Sequence, residues 1–213
     1  MTRADGDEFS FEAFSLDATV FEVNGSWYYS DGSGMMQSGG WINLGGTWYY
    51  LGGSGAMYTG WLNLGGKWYY LDPGSGAMRT GWYRDGATWY YSDGSGAMVS
   101  GGWLNQGGTW YYLSGSGAMY TGWLNLGGKW YYLDPGSGAM RTGWYRDGAT
   151  WYYSNGSGAM QSGGWINLGG TWYYLSGSGA MYTGWLNQGG SWYYLDGNSA
   201  VSYTHLRAHE TRH

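Results

Sequence analysis

Apolar and polar residues follow one short pattern that recurs along the chain about every twenty residues. In the copy at 60–71, Gly-Trp-Leu-Asn-Leu-Gly-Gly-Lys-Trp-Tyr-Tyr-Leu, two short segments rich in Trp and Tyr flank the pair Gly65-Gly66. Aromatic residues favour strands, and a Gly-Gly pair supplies the positive φ values of a tight hairpin turn. Each copy of the pattern therefore predicts a two-stranded β-hairpin.

The predicted hairpin has two different faces, because successive side chains of a strand point to opposite sides. With a two-residue Gly-Gly turn, Trp61, Trp68 and Tyr70 share one face, whereas Leu62 and Tyr69 share the other. An isolated two-stranded hairpin is marginally stable in water, so we expect the hairpins to stack on their neighbours.

The tripeptide Trp-Tyr-Tyr marks the repeat and occurs nine times, at steps of 20 or 21 residues. Its copies begin at Trp27, Trp48, Trp68, Trp89, Trp110, Trp130, Trp151, Trp172 and Trp192. Seven residues before every copy except the first stands another Trp, and the pattern accounts for all 17 tryptophans. A fixed period near twenty residues indicates a repeat architecture in which units bury their apolar faces against one another. So much indole indicates a surface that binds a ligand through aromatic faces.

A longer period groups the repeats in threes. Segments 47–108 and 109–170 are 62 residues each and differ at only five positions. Every third hairpin is therefore expected to have the same surroundings. The predicted fold class is all-β, a solenoid of stacked short β-hairpins with about three hairpins per superhelical turn.

Composition and charge exclude several classes of function. The chain has 45 Gly, 21% aromatic residues and no Cys, which is far from a globular average. The formal charge of −5 comes from the acidic residues of 1–23, and the repeats are close to neutral. We therefore expect no nucleic acid as a partner, because phosphate contacts need clustered Lys and Arg. We also expect no membrane insertion, since no apolar run approaches the length of a spanning helix.

Both ends of the chain depart from the repeat pattern. The acidic segment 1–23 contains all four Phe and is interpreted as a leader or as the end of a preceding region, without the features of a signal peptide. The repeat array is expected over 24–199, with a degenerate capping hairpin at 20–29 and then eight hairpins. In the capping hairpin Val20 stands where the other repeats have the first Trp. Residues 200–211 back-translate codon by codon to the transposon adapter of sequencing libraries, so 200–213 is interpreted as adapter read-through and not as a domain.

The pattern Thr-Gly-Trp, six residues, Trp-Tyr-Tyr-Leu, then Gly-Ala-Met and another Gly-Trp resembles the choline-binding repeat of Gram-positive surface proteins and cell-wall lytic enzymes. The resemblance extends over 24–199. It implies a β-solenoid that binds choline of teichoic acids between successive hairpins. It also implies a secreted, noncovalent cell-wall anchor on the bacterial surface, with choline or phosphocholine on wall or lipoteichoic acid as its partner and no cofactor.

The resemblance further implies that each cage contains the two tryptophans of one hairpin, a tyrosine of the next hairpin and a nearby methionine. The expected cage residues are Trp41, Trp48, Tyr70 and Met57; Trp61, Trp68, Tyr91 and Met78; Trp82, Trp89, Tyr112 and Met98; Trp103, Trp110, Tyr132 and Met119; Trp123, Trp130, Tyr153 and Met140; Trp144, Trp151, Tyr174 and Met160; Trp165, Trp172, Tyr194 and Met181.

Such cages suit a quaternary ammonium, which has no hydrogen to donate and must be held by cation–π attraction and apolar contact. Each aromatic wall contributes roughly 0.5–2 kcal/mol, so three walls reach about 4 kcal/mol, which corresponds to about millimolar affinity. Retention on a polymer would then require several cages to bind at once.

Three alternatives compete with this hypothesis. The first is a glucan- or glycan-binding repeat array of the glucosyltransferase or clostridial-toxin type, in which aromatic rings stack on sugars. The second is a passive spacer, which would have no reason to keep Trp at both positions in eight hairpins. The third is an enzyme, which is disfavoured because the repeats contain no His, Cys or Glu from which a nucleophile–base pair or metal site could be assembled. A catalytic domain could be attached outside this sequence.

Overall fold

The structure, a computed structural model, describes residues 18–196 and the backbone of 201–202. It is all-β, and the described residues form nine consecutive antiparallel hairpins, numbered 1 to 9 in chain order. This confirms the predicted all-β stack of short hairpins. Of the expected leader at 1–23, residues 1–17 lie outside the described residues, as do residues 200 and 203–213 of the expected read-through at 200–213.

The strands of the nine hairpins are all five residues long. They are β1 Thr19–Val23 and β2 Ser26–Ser30; β3 Gly40–Leu44 and β4 Thr47–Leu51; β5 Gly60–Leu64 and β6 Lys67–Leu71; β7 Gly81–Asp85 and β8 Thr88–Ser92; β9 Gly102–Gln106 and β10 Thr109–Leu113; β11 Gly122–Leu126 and β12 Lys129–Leu133; β13 Gly143–Asp147 and β14 Thr150–Ser154; β15 Gly164–Leu168 and β16 Thr171–Leu175; β17 Gly184–Gln188 and β18 Ser191–Leu195. A short strand β19, Val201–Ser202, pairs with β18.

The register of each hairpin follows from its two-residue turn. In hairpin 3, Trp61 pairs with Tyr70, Leu62 with Tyr69 and Asn63 with Trp68, as the sequence predicts. The turn residues Gly65 and Gly66 have φ of 60° and 83°, in the left-handed region that glycine adopts without strain. The side chain of Asn63 turns back and accepts a hydrogen bond from the Gly66 backbone N–H at 3.3 Å.

The chain divides into two compact units, one ending at Val99 and the other beginning at Ser100. The first contains hairpins 1–4 and the second contains hairpins 5–9. The division falls between hairpins 4 and 5, within the region that the sequence predicts as one array. Among the described residues, no helix is long and apolar enough to cross a membrane.

The residue that follows Trp-Tyr-Tyr is buried in hairpins 2 to 9 and forms much of the core. At this position Leu51, Leu71, Leu113, Leu133 and Leu175 are at most 1% exposed, and Ser92 and Ser154 are fully buried. Two serines thus replace leucine in hairpins 4 and 7. Each shares a hydrogen bond with the buried tyrosine of its own hairpin, Tyr83–Ser92 at 3.2 Å and Tyr145–Ser154 at 3.1 Å. The hydroxyls satisfy one another, so the polar pair is tolerated in an otherwise aliphatic core.

The linkers between hairpins tie neighbouring repeats together through the backbone. The methionine of a linker bridges back to the last strand of the preceding hairpin, as Met160 does to Ser154. The same Met160 backbone N–H donates to the carbonyl of Trp130, one hairpin earlier, at 2.8 Å. Each linker therefore fixes the spacing between two successive hairpins.

Candidate functional site: aromatic cages between hairpins

Successive hairpins within a unit stack so that two different faces meet. The face with two tryptophans on one hairpin packs against the tyrosine face of the next, as Trp123 contacts Tyr152 with ring centroids 4.8 Å apart. The equivalent contacts join Trp41 to Tyr69, Trp61 to Tyr90, Trp103 to Tyr131, Trp144 to Tyr173 and Trp165 to Tyr193, at 4.8 to 5.0 Å. This arrangement brings together aromatic rings from two hairpins at each interface within a unit.

The tyrosine of each interface differs from the one expected from sequence. The expectation placed Tyr91 against Trp61, but the structure places its neighbour Tyr90 there. The third residue of each Trp-Tyr-Tyr instead contacts the first Trp of its own hairpin, at 4.9 to 5.3 Å. These own-hairpin pairs include Tyr70, Tyr91, Tyr112, Tyr132, Tyr153, Tyr174 and Tyr194. The reason is the strand alternation, because only the middle tyrosine points toward the preceding hairpin.

A cavity of about 290 Å³ opens at the interface between hairpins 6 and 7. Trp123 and Trp130 of hairpin 6, Tyr152 of hairpin 7, Met160 and Ser178 line it. The indole of Trp130 is 44% exposed, whereas that of Trp123 is half-buried between the hairpins. Met160 lies in the linker after hairpin 7 and Ser178 in the linker after hairpin 8, so three successive repeats build one cage.

The methionine of each cage also differs from the expectation, by one repeat. The sequence assigned Met140 to the cage of Trp123 and Trp130, but Met160 lines that cavity. Backbone hydrogen bonds explain the shift, because the methionine N–H of six linkers donates to the second Trp of the hairpin one before the hairpin that the linker follows. The bonds join Met57 to Trp27, Met78 to Trp48, Met98 to Trp68, Met140 to Trp110, Met160 to Trp130 and Met181 to Trp151.

Glycine at one linker position makes room for these methionines. Gly138 and Gly158 have φ of 72° and 81°, and a Cβ on either would overlap the side chain of Met119 or Met140, respectively. Gly179 has the same relation to Met160, the methionine of the cavity. The sequence Gly-Ala-Met therefore encodes a contact between successive linkers, in which the glycine of one supports the methionine of the one before.

The carboxylate of Asp147, which the sequence did not predict as a site residue, lies beside the indole of Trp123. The indole N–H of Trp123 donates to Asp147 at 2.8 Å, and the hydroxyl of Tyr132 donates to the same carboxylate at 3.3 Å. Burial raises the pKa of Tyr132, and the charge of Asp147 raises it further. In the sequence, Asp147 stands directly before the turn, at the position where hairpins 2, 3, 5, 6, 8 and 9 have Leu or Gln, and this substitution could have pointed to it.

The same carboxylate arrangement occurs in the first unit. Asp85 accepts a hydrogen bond from the indole N–H of Trp61 at 2.8 Å and one from the hydroxyl of Tyr70 at 3.3 Å. Both acidic residues hold the indole of a first Trp in place. They also add negative charge next to a ring whose face is available to a cation.

Hairpin 1 forms an incomplete version of the cage. Its cavity of about 260 Å³ is lined by Val20, Trp27, Tyr49 and Met57 together with Gly74 and Ser75. Val20 occupies the place of the first Trp, as the sequence predicts for a degenerate hairpin. The site therefore has two aromatic walls where the cavity of hairpin 6 has three.

The side chains of these cavities offer few kinds of interaction. The described cavity of hairpin 6 is lined by three aromatic rings, a thioether and the hydroxyl of Ser178, and Tyr152 carries the one other hydroxyl among these side chains. Such a site offers π-faces and apolar contact but few hydrogen bonds, which suits a cation without N–H groups. Aromatic cages of this kind are a known solution for quaternary ammonium ligands.

Comparison with protein families assigns the repeats. The model of the choline-binding repeat matches residues 38–80, 58–103, 101–143 and 162–202. A second model, of a cell wall binding repeat, matches residues 21–36 and 142–160. No curated protein sequence matches the chain.

Solved structures of similar fold come from Streptococcus pneumoniae. CbpJ is 40% identical with a TM-score of 0.75, over 85% of this chain and 73% of its own. CbpF in complex with ipratropium is 34% identical with a TM-score of 0.69, over 85% of this chain and 72% of its own. The choline-binding domain of CbpL is 28% identical with a TM-score of 0.60, over 87% of this chain and 97% of its own.

These matches cover most of the repeat region, and the chain belongs to the choline-binding repeat family. The aromatic clusters between its hairpins fit choline-binding cages. Proteins with these repeats are associated with the cell surface, and the repeats themselves are not catalytic.

Proposed function

We propose that this chain anchors noncovalently to the bacterial cell wall by binding the choline groups of teichoic acids in its inter-hairpin cages. The observation that carries the proposal is the cavity formed by Trp123, Trp130, Tyr152 and Met160. Its three aromatic walls and its thioether match a trimethylammonium group in chemistry. The proposed location is the outer surface of a secreted protein, and the proposed role of these repeats is attachment and not catalysis.

The cage residues proposed for binding follow the geometry of each interface. They are the two tryptophans of one hairpin, the middle tyrosine of the next hairpin and the methionine of the next linker. Asp85 and Asp147 add a negative charge beside the cages of Trp61 and Trp123. The relative CbpF was solved with ipratropium, which carries a quaternary ammonium, and this supports the same ligand chemistry here.

Glucan binding is the second candidate, since aromatic rings also stack on sugars. Sugar hydroxyls, however, need hydrogen-bonding partners when they are removed from water. Ser178 is the one hydroxyl-bearing side chain other than Tyr152 that lines the described cavity of hairpin 6. The acidic residues next to two cages favour a cationic ligand over a neutral sugar.

Binding to purified cell walls tests the proposal. The full chain is mixed with walls whose teichoic acids carry choline and with walls from cells grown so that the choline is replaced by ethanolamine. We expect retention on the first walls, release by free choline at tens of millimolar and no retention on the second. Equal retention on both, with release by isomalto-oligosaccharide, would move the assignment to glycan binding.

A further inference from the structure

Hairpins 4 and 7 differ from the others at the residue that faces the second Trp across the strands. Six hairpins have asparagine at this position, hairpin 1 has Glu22, and hairpins 4 and 7 have Arg84 and Arg146. The asparagines turn away from the indole: Asn125 accepts a hydrogen bond from the Gly128 backbone N–H at 3.3 Å. The face of Trp130 is then free to line its cavity.

Both arginines instead lie over the indole of their own hairpin. The guanidinium carbon of Arg146 is 5.6 Å from the ring centroid of Trp151, and that of Arg84 is 5.6 Å from the ring centroid of Trp89. These distances lie within the range of a cation–π interaction. Among hairpins 2 to 8 the second tryptophan is 38% exposed where an arginine lies over it, at Trp89 and Trp151, and 42 to 44% exposed in the other five.

The surroundings of Trp151 are otherwise those of a cage. Trp144 contacts Tyr173 of hairpin 8 with ring centroids 4.8 Å apart, and the Met181 backbone N–H donates to the Trp151 carbonyl at 2.8 Å. These are the contacts that position the walls of the hairpin 6 cavity. Two features distinguish the two sites: Asp147 accepts a hydrogen bond from the indole of Trp123, and the guanidinium of Arg146 lies over the indole of Trp151.

Trp144 and Trp151 also border a second, charged cavity. This cavity of about 570 Å³ is shared with Tyr132, Asp134, Arg141, Arg146 and Asp147 and is not lined by Tyr173 or Met181, so it is distinct from the cage that the two tryptophans form with hairpin 8. Asp134 is paired with Arg141 at 2.6 Å, and Asp147 accepts hydrogen bonds from Trp123 and Tyr132. Arg146 is therefore the cation whose guanidinium lies over the indole of Trp151.

We propose that Arg146 is an internal cation that occupies the indole face of Trp151 and excludes a quaternary ammonium from the cage of Trp144, Trp151 and Tyr173. This inference rests on the proposed choline binding. An incoming ammonium would have to displace a tethered guanidinium of like charge from the same ring. The cage of Trp123 and Trp130 would then be open to choline and the cage of Trp144 and Trp151 closed, and the arginine would be the residue that determines occupancy.

The number of choline molecules bound at saturation tests this, measured by equilibrium dialysis of labelled choline against the full chain. Arg146→Asn installs the asparagine that six other hairpins have at this position, and we expect it to add one bound choline molecule. The reciprocal variant Asn63→Arg/Asn125→Arg should remove two. The matched control is Arg79→Asn, which removes an arginine that pairs with Asp72 and should leave the number unchanged.

Crystals soaked with arsenocholine, a quaternary arsonium analogue, give the occupancy of each cage from anomalous scattering. We expect a peak at Trp123/Trp130 and none at Trp144/Trp151 in the wild type. A wild-type peak at Trp144/Trp151, or an unchanged number in the Arg146→Asn variant, would overturn the inference while choline binding stands. If the wild type binds no choline at any cage, the proposed function itself fails.

Discussion

At the scale of single residues, tryptophan has two distinct roles that its position in the repeat determines. The first Trp of a hairpin is half-buried and contacts tyrosines of two hairpins, as Trp61 does with Tyr70 and Tyr90. The second Trp is 38–44% exposed in hairpins 2 to 8 and presents its ring to solvent. The first is therefore both a packing residue and a wall, whereas the second is available mainly to a ligand.

The residue types of the cage could be predicted from sequence, but their grouping could not. The pattern fixed that Trp61, Trp68 and Tyr70 share a face, because strand alternation is a local property. Whether Tyr90 or Tyr91 meets Trp61 depends on which face of the next hairpin turns toward it. That is a tertiary property, as is the 30-residue reach by which Met160 bonds to Trp130. Asp147 was missed because its partner Trp123 lies in a different hairpin.

The carboxylates of Asp85 and Asp147 should strengthen the binding of cations specifically. Asp85→Asn/Asp147→Asn keeps an acceptor for the indole N–H groups but removes the charge beside two cages. We expect these two cages to lose roughly 1 kcal/mol in affinity for tetramethylammonium, about fivefold. Isothermal titration calorimetry with tetramethylammonium and with 3,3-dimethyl-1-butanol, the neutral isostere of choline, measures both affinities. Equal loss for both ligands would show that the carboxylates act by positioning alone.

At the scale of the hairpin, the triplet period reflects an exchange of two buried residues. Hairpin 6 has Leu124 and Leu133 where hairpin 7 has Tyr145 and Ser154, and all four are less than 10% exposed. The larger tyrosine compensates for the smaller serine and stacks on Tyr132 of the preceding hairpin at 4.9 Å. The sequence showed the period but not its cause. The two side chains in contact, Tyr145 and Ser154, are nine residues apart, and only the folded hairpin brings them together on one face.

This exchange predicts strong coupling between the two positions. Ser154→Leu alone overpacks a fully buried site, and Tyr145→Leu alone leaves a cavity and an unpaired buried hydroxyl. We expect each to cost about 2–4 kcal/mol of unfolding free energy and the double variant to recover at least about 1 kcal/mol of the sum. Urea unfolding of the four proteins measures the coupling. Additive costs would mean that the two side chains do not share one space.

The buried tyrosines also predict a loss of stability at high pH. Burial raises the pKa of Tyr83 and of Tyr145 to about 12, from an ordinary value of 10.0. Below pH 10 both states hold the proton, so these residues add no pH dependence. Between about pH 10 and 12 the unfolded chain ionises while the folded chain resists, so the unfolding free energy falls by up to about 2 kcal/mol for each tyrosine.

Thermal melts of the wild type and of Tyr83→Phe/Tyr145→Phe between pH 8 and 12 measure this difference. The other tyrosines are common to both proteins, so the comparison isolates the two buried hydroxyls. We expect the variant to be less stable at pH 8, because Ser92 and Ser154 lose their partners, but to lose less stability as the pH rises. Parallel curves would contradict the assigned cause.

At the scale of the whole molecule, we expect the number of cages to determine the strength of the proposed attachment. One cage with three walls provides about 4 kcal/mol, near millimolar affinity, and only several cages on one polymer give useful retention. The duplicated 62-residue segments supply this number by repetition. Each cage takes residues from three successive repeats, so cages are a property of the array and not of a single hairpin.

Hairpin 1 offers a way to add a cage. Its cavity has Val20 in place of the first Trp, and Val20 is 46% exposed, so a larger side chain meets no buried neighbour. Val20→Trp should supply the third wall and raise the number of bound choline molecules by one. Val23→Trp places the same residue on the opposite face of the same strand and serves as the control. An unchanged number in Val20→Trp would show that three walls and a methionine do not suffice.

The central claim is that these aromatic cages bind quaternary ammonium groups, and tryptophan fluorescence of the full chain tests it most directly. Choline and tetramethylammonium are titrated to tens of millimolar beside 3,3-dimethyl-1-butanol, isomalto-oligosaccharide and sodium chloride. The account predicts saturable fluorescence changes and a higher melting temperature with both quaternary amines, much weaker effects with the neutral isostere and none with the salt. A response to the oligosaccharide without a response to either amine would contradict it.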